Sequence, residues 1–137
     1  MDCIFCKIAK GEIESAKVFE NDNVFVFLDI APASKGHCLV IPKQHYENIF
    51  DIDESALIET VKMTKEISDK IRKNLKAIGV NIIINNGKEA GQSALHFHIH
   101  IVPRYENDGL TGADLFAESA EKTDKEKLKK TAEKIKA

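Results

Sequence analysis

Residues 95–104, Leu-His-Phe-His-Ile-His-Ile-Val-Pro-Arg, alternate apolar and polar positions with a period of two. That pattern predicts a strand with one buried face. Leu95, Phe97, Ile99 and Ile101 are expected in a core. His96, His98 and His100 then form a row on the opposite face, roughly 6.6 Å apart along the strand. Pro103 has no amide donor and is expected to end the pairing. Elsewhere Lys17–Glu20 reads as a strand, followed by an Asn21-Asp22-Asn23 turn. Val24–Leu28 is a continuous apolar run of strand length, predicted to be covered on both faces and to end at Asp29. Residues 37–41 form another such strand, closed by Pro42. Residues 80–85 return as a strand, and Asn86-Gly87 opens a loop that runs to Gly91.

Between the strands the period changes to 3.6. Leu57, Val61, Thr64, Ser68, Ile71, Leu75 and Ile78 fall on one stripe, widened by Ile58 and Ile67, with Lys and Glu opposite. Asp53 is the expected cap and Gly79 the expected stop. A short helix is predicted over residues 7–10, ended by Gly11. Thr123-Asp124-Lys125-Glu126 matches a capping box before a last helix carrying Leu128, Ala132 and Ile135. Its lysines read as a solvated face, and residues 110–117 carry no clear pattern. Strands joined by short turns with one long helix inserted predict an α+β fold: an antiparallel meander with a long helix and a C-terminal helix.

The chain has 137 residues, which suits one domain (1–137) able to bury a core without staples. Its motif-bearing part is residues 1–105, and 106–137 form a tail. The formal net charge of −2 argues against bulk electrostatic binding to nucleic acid or anionic membranes. No apolar run reaches a membrane span and no signal-peptide pattern opens the chain, so a soluble, cytoplasmic protein is expected. There is no Walker-type phosphate loop.

Three imidazoles on one strand face each present two ring nitrogens that need partners, so the row reads as a site rather than as packing. Two chemistries compete. All three can ligate one metal, as in a three-His zinc site. Alternatively they divide the labour among metal ligand, nucleophile and phosphate donor. Cys3 and Cys6 form a C-x-x-C pair; with only two residues before it, a thioredoxin-like reading is poor, and a metal reading needs two more ligands. Cys38, among Leu39, Val40 and Ile41, is expected as a small core residue.

The His96-x-His98-x-His100 row does not stand alone. Cys3-x-x-Cys6, Phe27-Leu28-Asp29, Gly36-His37, Leu39-Val40-Ile41-Pro42, His45, Asn85-Asn86-Gly87 and Gly91-Gln92-Ser93 accompany it. In this order the set resembles the histidine-triad (HIT) family, in its zinc-retaining bacterial and archaeal Hint-like branch. The resemblance implies a structural Zn²⁺ on Cys3, Cys6, His45 and His96. It implies His98 as the nucleophile that forms a nucleotidyl-histidine, with His100 as a phosphate donor. His37 is similar to the family's supporting histidine, which would orient His96, the first of the row, or the phosphate site. Asp29 would accept from ribose hydroxyls, and Asn85, Gln92, Ser93 and His100 would contact phosphate and the leaving group. Ile4, Phe5, Ile8, Phe19 and Phe27 are candidates for a base pocket. The implied activity is hydrolysis or transfer at the α-phosphate of a purine nucleoside 5′-phosphoramidate, by a homodimer. Cleavage of dinucleoside polyphosphates, a non-catalytic nucleotide-binding regulatory role, and a three-His metalloenzyme are the alternatives.

Overall fold

The computed structural model describes residues 2–112 and 122–137. Eight principal elements follow in order: α1 (Ile4–Ala9), β1 (Lys17–Glu20), β2 (Val24–Leu28), β3 (Cys38–Pro42), α2 (Glu54–Leu75), β4 (Gly79–Ile83), β5 (Ile99–Arg104) and α3 (Lys125–Lys136). The strands form one antiparallel sheet in the order β1-β2-β3-β5-β4. The first three make the expected meander. Then α2 carries the chain past the sheet to its far edge, where β4 forms, and β5 returns to the middle.

Every residue of β2 and β3 is buried because both faces of the sheet are covered. On one face Val24, Val26, Leu28, Cys38, Val40, Ile99 and Ile101 pack with α2 and α3 through Ile67, Ile71, Leu75, Leu128 and Ile135. On the other, Phe25, Phe27, Leu39 and Ile41 pack with α1 through Ile8 and Phe5. The C-terminal helix thus belongs to the main core, and Cys38 is fully buried as expected.

Several elements differ from the sequence pattern. The strand begins at Ile99, not Leu95, and Leu95 is 57% exposed. Pro103 does not end β5: it pairs with Val80, and Arg104 with Gly79. On the β3 side the pairing does stop earlier, at Ile101 opposite Cys38. His37 lies just before β3, which runs through Pro42 opposite Val24. The first helix starts at Ile4, three residues before the expected position. Helix α2 ends at Leu75, where Lys76 takes a left-handed conformation (φ 62°), so Gly79 opens β4 instead of stopping the helix. Its buried stripe is Thr60, Met63, Thr64, Ile67, Ile71 and Leu75, whereas Ile58, Val61 and Ile78 are exposed. Thr60 and Thr64 can lie there because their hydroxyls donate to Ala56 and Thr60 carbonyls at 2.7 and 2.8 Å. Strand β4 ends at Ile83, leaving Asn85 in the loop. The cap of α3 is Asp124, not Thr123, and accepts from Glu126 N–H. The unpatterned stretch 110–117 lies partly outside the described residues.

The loop between β2 and β3 carries two candidate site residues and is held from several sides. Asp29 N–H donates to His37 carbonyl, and Asp29 Oδ1 accepts from Ala31 N–H. Ser34 Oγ donates to Pro103 carbonyl at 2.6 Å, Tyr105 hydroxyl to Lys35 carbonyl at 2.7 Å, and Thr123 N–H to Ile30 carbonyl at 2.8 Å. Gly36 sits at φ +91°, and a Cβ there would lie 2.5 Å from Leu75 Cδ1. The left-handed conformation favours glycine, and a Cβ would also force the Leu75 methyl to move.

Candidate active site and metal centre

His100 stands opposite Leu39 in the ladder, which puts it on the α1 face of the sheet. His98 and His96 continue along that face, although the chain has left the ladder. Phe97 N–H donates to Tyr46 carbonyl at 2.7 Å, drawing the segment toward the loop that carries His45. Phe5 of α1 packs edge-on against His98 and His96, with ring centroids 5.2 and 6.0 Å away. The histidine row is therefore split into two groups with different partners.

The first group is Cys3, Cys6, His45 and His96. Cys3 caps α1, its Sγ accepting from Cys6 N–H at 3.3 Å, so the C-x-x-C spacing turns both sulfurs to one side. Cys3 Sγ lies 3.3 Å from His96 Nδ1, and Cys6 Sγ lies 3.4 and 3.5 Å from His45 and His96 Nδ1. The two Nδ1 atoms are 3.3 Å apart, and all four ligand atoms fall within 4.8 Å of one another. Tetrahedral zinc, with bonds of about 2.0–2.3 Å, needs neighbouring ligand atoms roughly 3.3–3.8 Å apart. His96 Nε2–H donates to Pro42 carbonyl at 2.8 Å, which turns the Nδ1 lone pair toward the sulfurs. Burial lowers the His96 pKa to about 4, so the ring is neutral and fit to ligate. Burial and the neighbouring Cys3 push the Cys6 thiol up to about 11, so a metal would displace its proton on binding.

The second group is His98, His100, His37 and Asp29. Buried His98 sends Nδ1–H to the His96 carbonyl at 2.7 Å; its Nε2 therefore carries the lone pair. His37 is oriented oppositely. Ala33 N–H donates to His37 Nδ1 at 3.0 Å, which places the ring proton on Nε2. That Nε2–H donates to His100 Nδ1 at 3.0 Å, and His100 in turn holds its proton on Nε2. Asp29 Oδ2 lies 3.7 Å from His37 Nε2. Burial holds all three imidazoles below the ordinary histidine pKa, His100 at about 3, against the opposing pull of Asp29 on His37 and His98. They are neutral at pH 7. Asp29, His37 and His100 also approach one another closely enough to suggest a metal triad. The Ala33 N–H argues otherwise, because it occupies the Nδ1 lone pair and leaves the proton on the nitrogen that would have to ligate. The three-His metal reading fails too, since His96 and His98 present different nitrogens to different surroundings.

The HIT domain model matches residues 10–107. The chain is 47% identical over 110 residues to the protein hit of Bacillus subtilis, covering 80% of this chain and 76% of the relative. It is 41% identical over 107 residues to an adenosine 5′-monophosphoramidase of Schizosaccharomyces pombe, covering 76% and 75%. A zinc-bound histidine triad family protein from Mycobacterium smegmatis superimposes with a TM-score of 0.86 at 31% identity, covering 99% of this chain and 91% of that one. The chain belongs to the HIT family.

The other residues singled out from the HIT resemblance are placed unequally. Gln92 is buried, and its amide is fully engaged: Nε2 donates to Glu47 and Ala94 carbonyls, and Oε1 accepts from Gly87 N–H and Asn48 Nδ2. Asn85 is half-buried and Ser93 exposed, and neither side chain is hydrogen-bonded among the described residues. Of the base-pocket candidates, Ile8 and Phe27 are buried, whereas Ile4 and Phe19 are 54% and 37% exposed. The backbone groups that set the ring protons are the carbonyls of Pro42 and His96 and the N–H of Ala33; the resemblance implies a backbone carbonyl behind His98, but no side-chain signature says which one, and none points to Pro42 or Ala33.

Proposed function

We propose that this protein is a nucleotide hydrolase acting at the α-phosphate through a nucleotidyl-histidine, with purine nucleoside 5′-phosphoramidates as substrates. The reading rests above all on the bond from His98 Nδ1 to the His96 carbonyl, which leaves Nε2 of a neutral ring as the nucleophile. In the first step His98 Nε2 bonds to phosphorus and the bond from phosphorus to the amine breaks. His100 carries a proton on Nε2 with its ring centroid 4.9 Å from that of His98, and donates it as a hydrogen bond to a non-bridging phosphate oxygen, while the departing amine takes its proton from water. In the second step water bonds to phosphorus, the P–Nε2 bond breaks, and the water proton is released to solvent. The product is the nucleoside monophosphate, with His98 restored. His37 holds His100 in the tautomer this needs. Asp29 accepts from the ribose, and Asn85 and Ser93 donate to phosphate oxygens. Gln92 acts through the loop it braces rather than by donating to the phosphate.

Cys3, Cys6, His45 and His96 hold a structural zinc ion in this reading. The donor set and spacing fit, and the four ligands leave no open position for catalysis. The metal would staple the start of the chain and the loop after β3 to the segment carrying His98.

The protein is also proposed to be a homodimer. Strand β4 is a sheet edge, and exposed Ile82, Ile58 and Val61 offer an apolar surface with unpaired backbone beside it. Sedimentation at micromolar concentration should give twice the 15.3 kDa chain mass, and a clean monomer would refute the dimer.

The activity is tested by turnover of a substrate panel that includes adenosine and guanosine phosphoramidates and diadenosine polyphosphates. Preference for the phosphoramidates supports the reading. Preference for the polyphosphates moves the assignment to the dinucleoside class, and nucleotide binding without any turnover leaves a regulatory binder.

A further inference from the structure

Helix α3 separates two cavities of different electrostatic character. The one on its β1 side has mixed charge, with Glu14, Glu126 and Glu133 among Lys17, Lys125, Lys129 and Lys136. Ion pairs link Lys125 to Glu14 and Lys136 to Glu133. The cavity on its other side, about 480 Å³, is lined by Lys127, Lys130 and Lys134 from the helix and Lys35 from the β2–β3 loop, over a floor of Leu28 and Leu128. Among the described residues no carboxylate lines it, and none of these four lysines is ion-paired. In a chain of formal charge −2, four unpaired cations converging from two elements on one concave surface are not explained by solubility.

We propose that this cavity is a second anion site, which takes a small molecule carrying a chain of phosphates. Lys127, Lys130 and Lys134 share a helix face and extend over about 10 Å at 1.5 Å per residue, longer than a single phosphate needs. The volume lies within the usual range of small-molecule sites, and the leucine floor suits an apolar body attached to the phosphates. His37 lines this cavity and also belongs to the histidine centre, but the lysines and the leucine floor lie on the other side of the sheet. Leu28 belongs to the helix-covered face of the sheet, whereas His100 stands on the α1 face. Between them runs the loop whose Ala33 N–H fixes His37, so an anion in the cavity would rest against the back of that loop.

The test uses inorganic tripolyphosphate as the probe and the isotopically labelled full-length protein, with excess AMP present to fill the histidine centre. Amide shifts should concentrate on α3 and residues 34–36, and the affinity should fall as salt is raised. The triple variant Lys127→Gln/Lys130→Gln/Lys134→Gln should abolish these shifts, and Lys35→Gln, on the opposite wall, should weaken binding several-fold. Both alter exposed side chains, and an unchanged melting temperature would verify the fold. Absence of binding, shifts confined to the surroundings of His98, or equal affinity in the variants would overturn the proposal. The hydrolase reading does not depend on the result.

Discussion

His96 and His98 are two residues apart, on one face of one segment, and both donate a ring proton to a backbone carbonyl. His96 gives its Nε2 proton to Pro42, and His98 gives its Nδ1 proton to His96 itself. That single difference sends the free lone pair of one ring among the sulfurs and leaves the other's Nε2 lone pair without a bond to the backbone. Equivalent side chains acquire different chemistry because of what the backbone behind them accepts.

The sharpest way to break this comparison is His98→Ala. Turnover should fall by roughly 10⁴-fold or more, as for loss of a covalent nucleophile, while zinc content and fold persist. Loss of zinc together with activity would mean that His98 shares the metal. Cys6→Ala should do the reverse at the neighbouring centre. Metal should be lost by elemental analysis and the protein destabilised by several kcal/mol, because metal-binding energy is folding energy. Full zinc occupancy in the Cys3/Cys6 double alanine variant would remove the metal assignment.

His100→Ala should cost about 10²-fold in turnover, equivalent to losing one donor worth about 3 kcal/mol. His37→Ala should cost less than that, since it acts through His100. The smallest effect is on stability against acid. His37, His98 and His100 have folded pKa values below the ordinary histidine value, so the unfolded chain takes up protons first as pH falls. Their neutral burial costs no stability from this source above about pH 6.5. Stability should decline below that pH and level off only near the folded values, about 3 for His100. Denaturant melts between pH 7 and 5 test the sign. A protein more stable at pH 5 than at 7 would mean that one of these rings is charged in the native state.

Much of this was legible in the residues. Lys17–Glu20 and Val24–Leu28 stand where the pattern placed them, since a buried strand between turn residues leaves little alternative. Cys3, Cys6, His45 and His96 also come together as grouped from the resemblance, whereas His37, expected to orient His96 or the phosphate site, bonds to His100 instead. The alternation across residues 95–98 was misleading as a strand signal, because Phe97 N–H leaves the ladder for Tyr46 while Phe97 itself stays buried. In α2 a hydrophobic count favoured Val61 and Ile78, but threonines that bond back to their own helix made the buried stripe instead. Gln92 looked like a ligand donor from its neighbours in sequence, and only the folded loop shows its amide already engaged.

The central claim is that the Nε2 atom of His98 forms the bond to phosphorus. Single-turnover quenching with a purine nucleoside phosphoramidate, followed by peptide mapping and phosphorus NMR, measures it directly. The account predicts one nucleotide on His98, attached at Nε2. Attachment at Nδ1, attachment to His96 or His100, or steady turnover from which no covalent nucleotide can be trapped would contradict it.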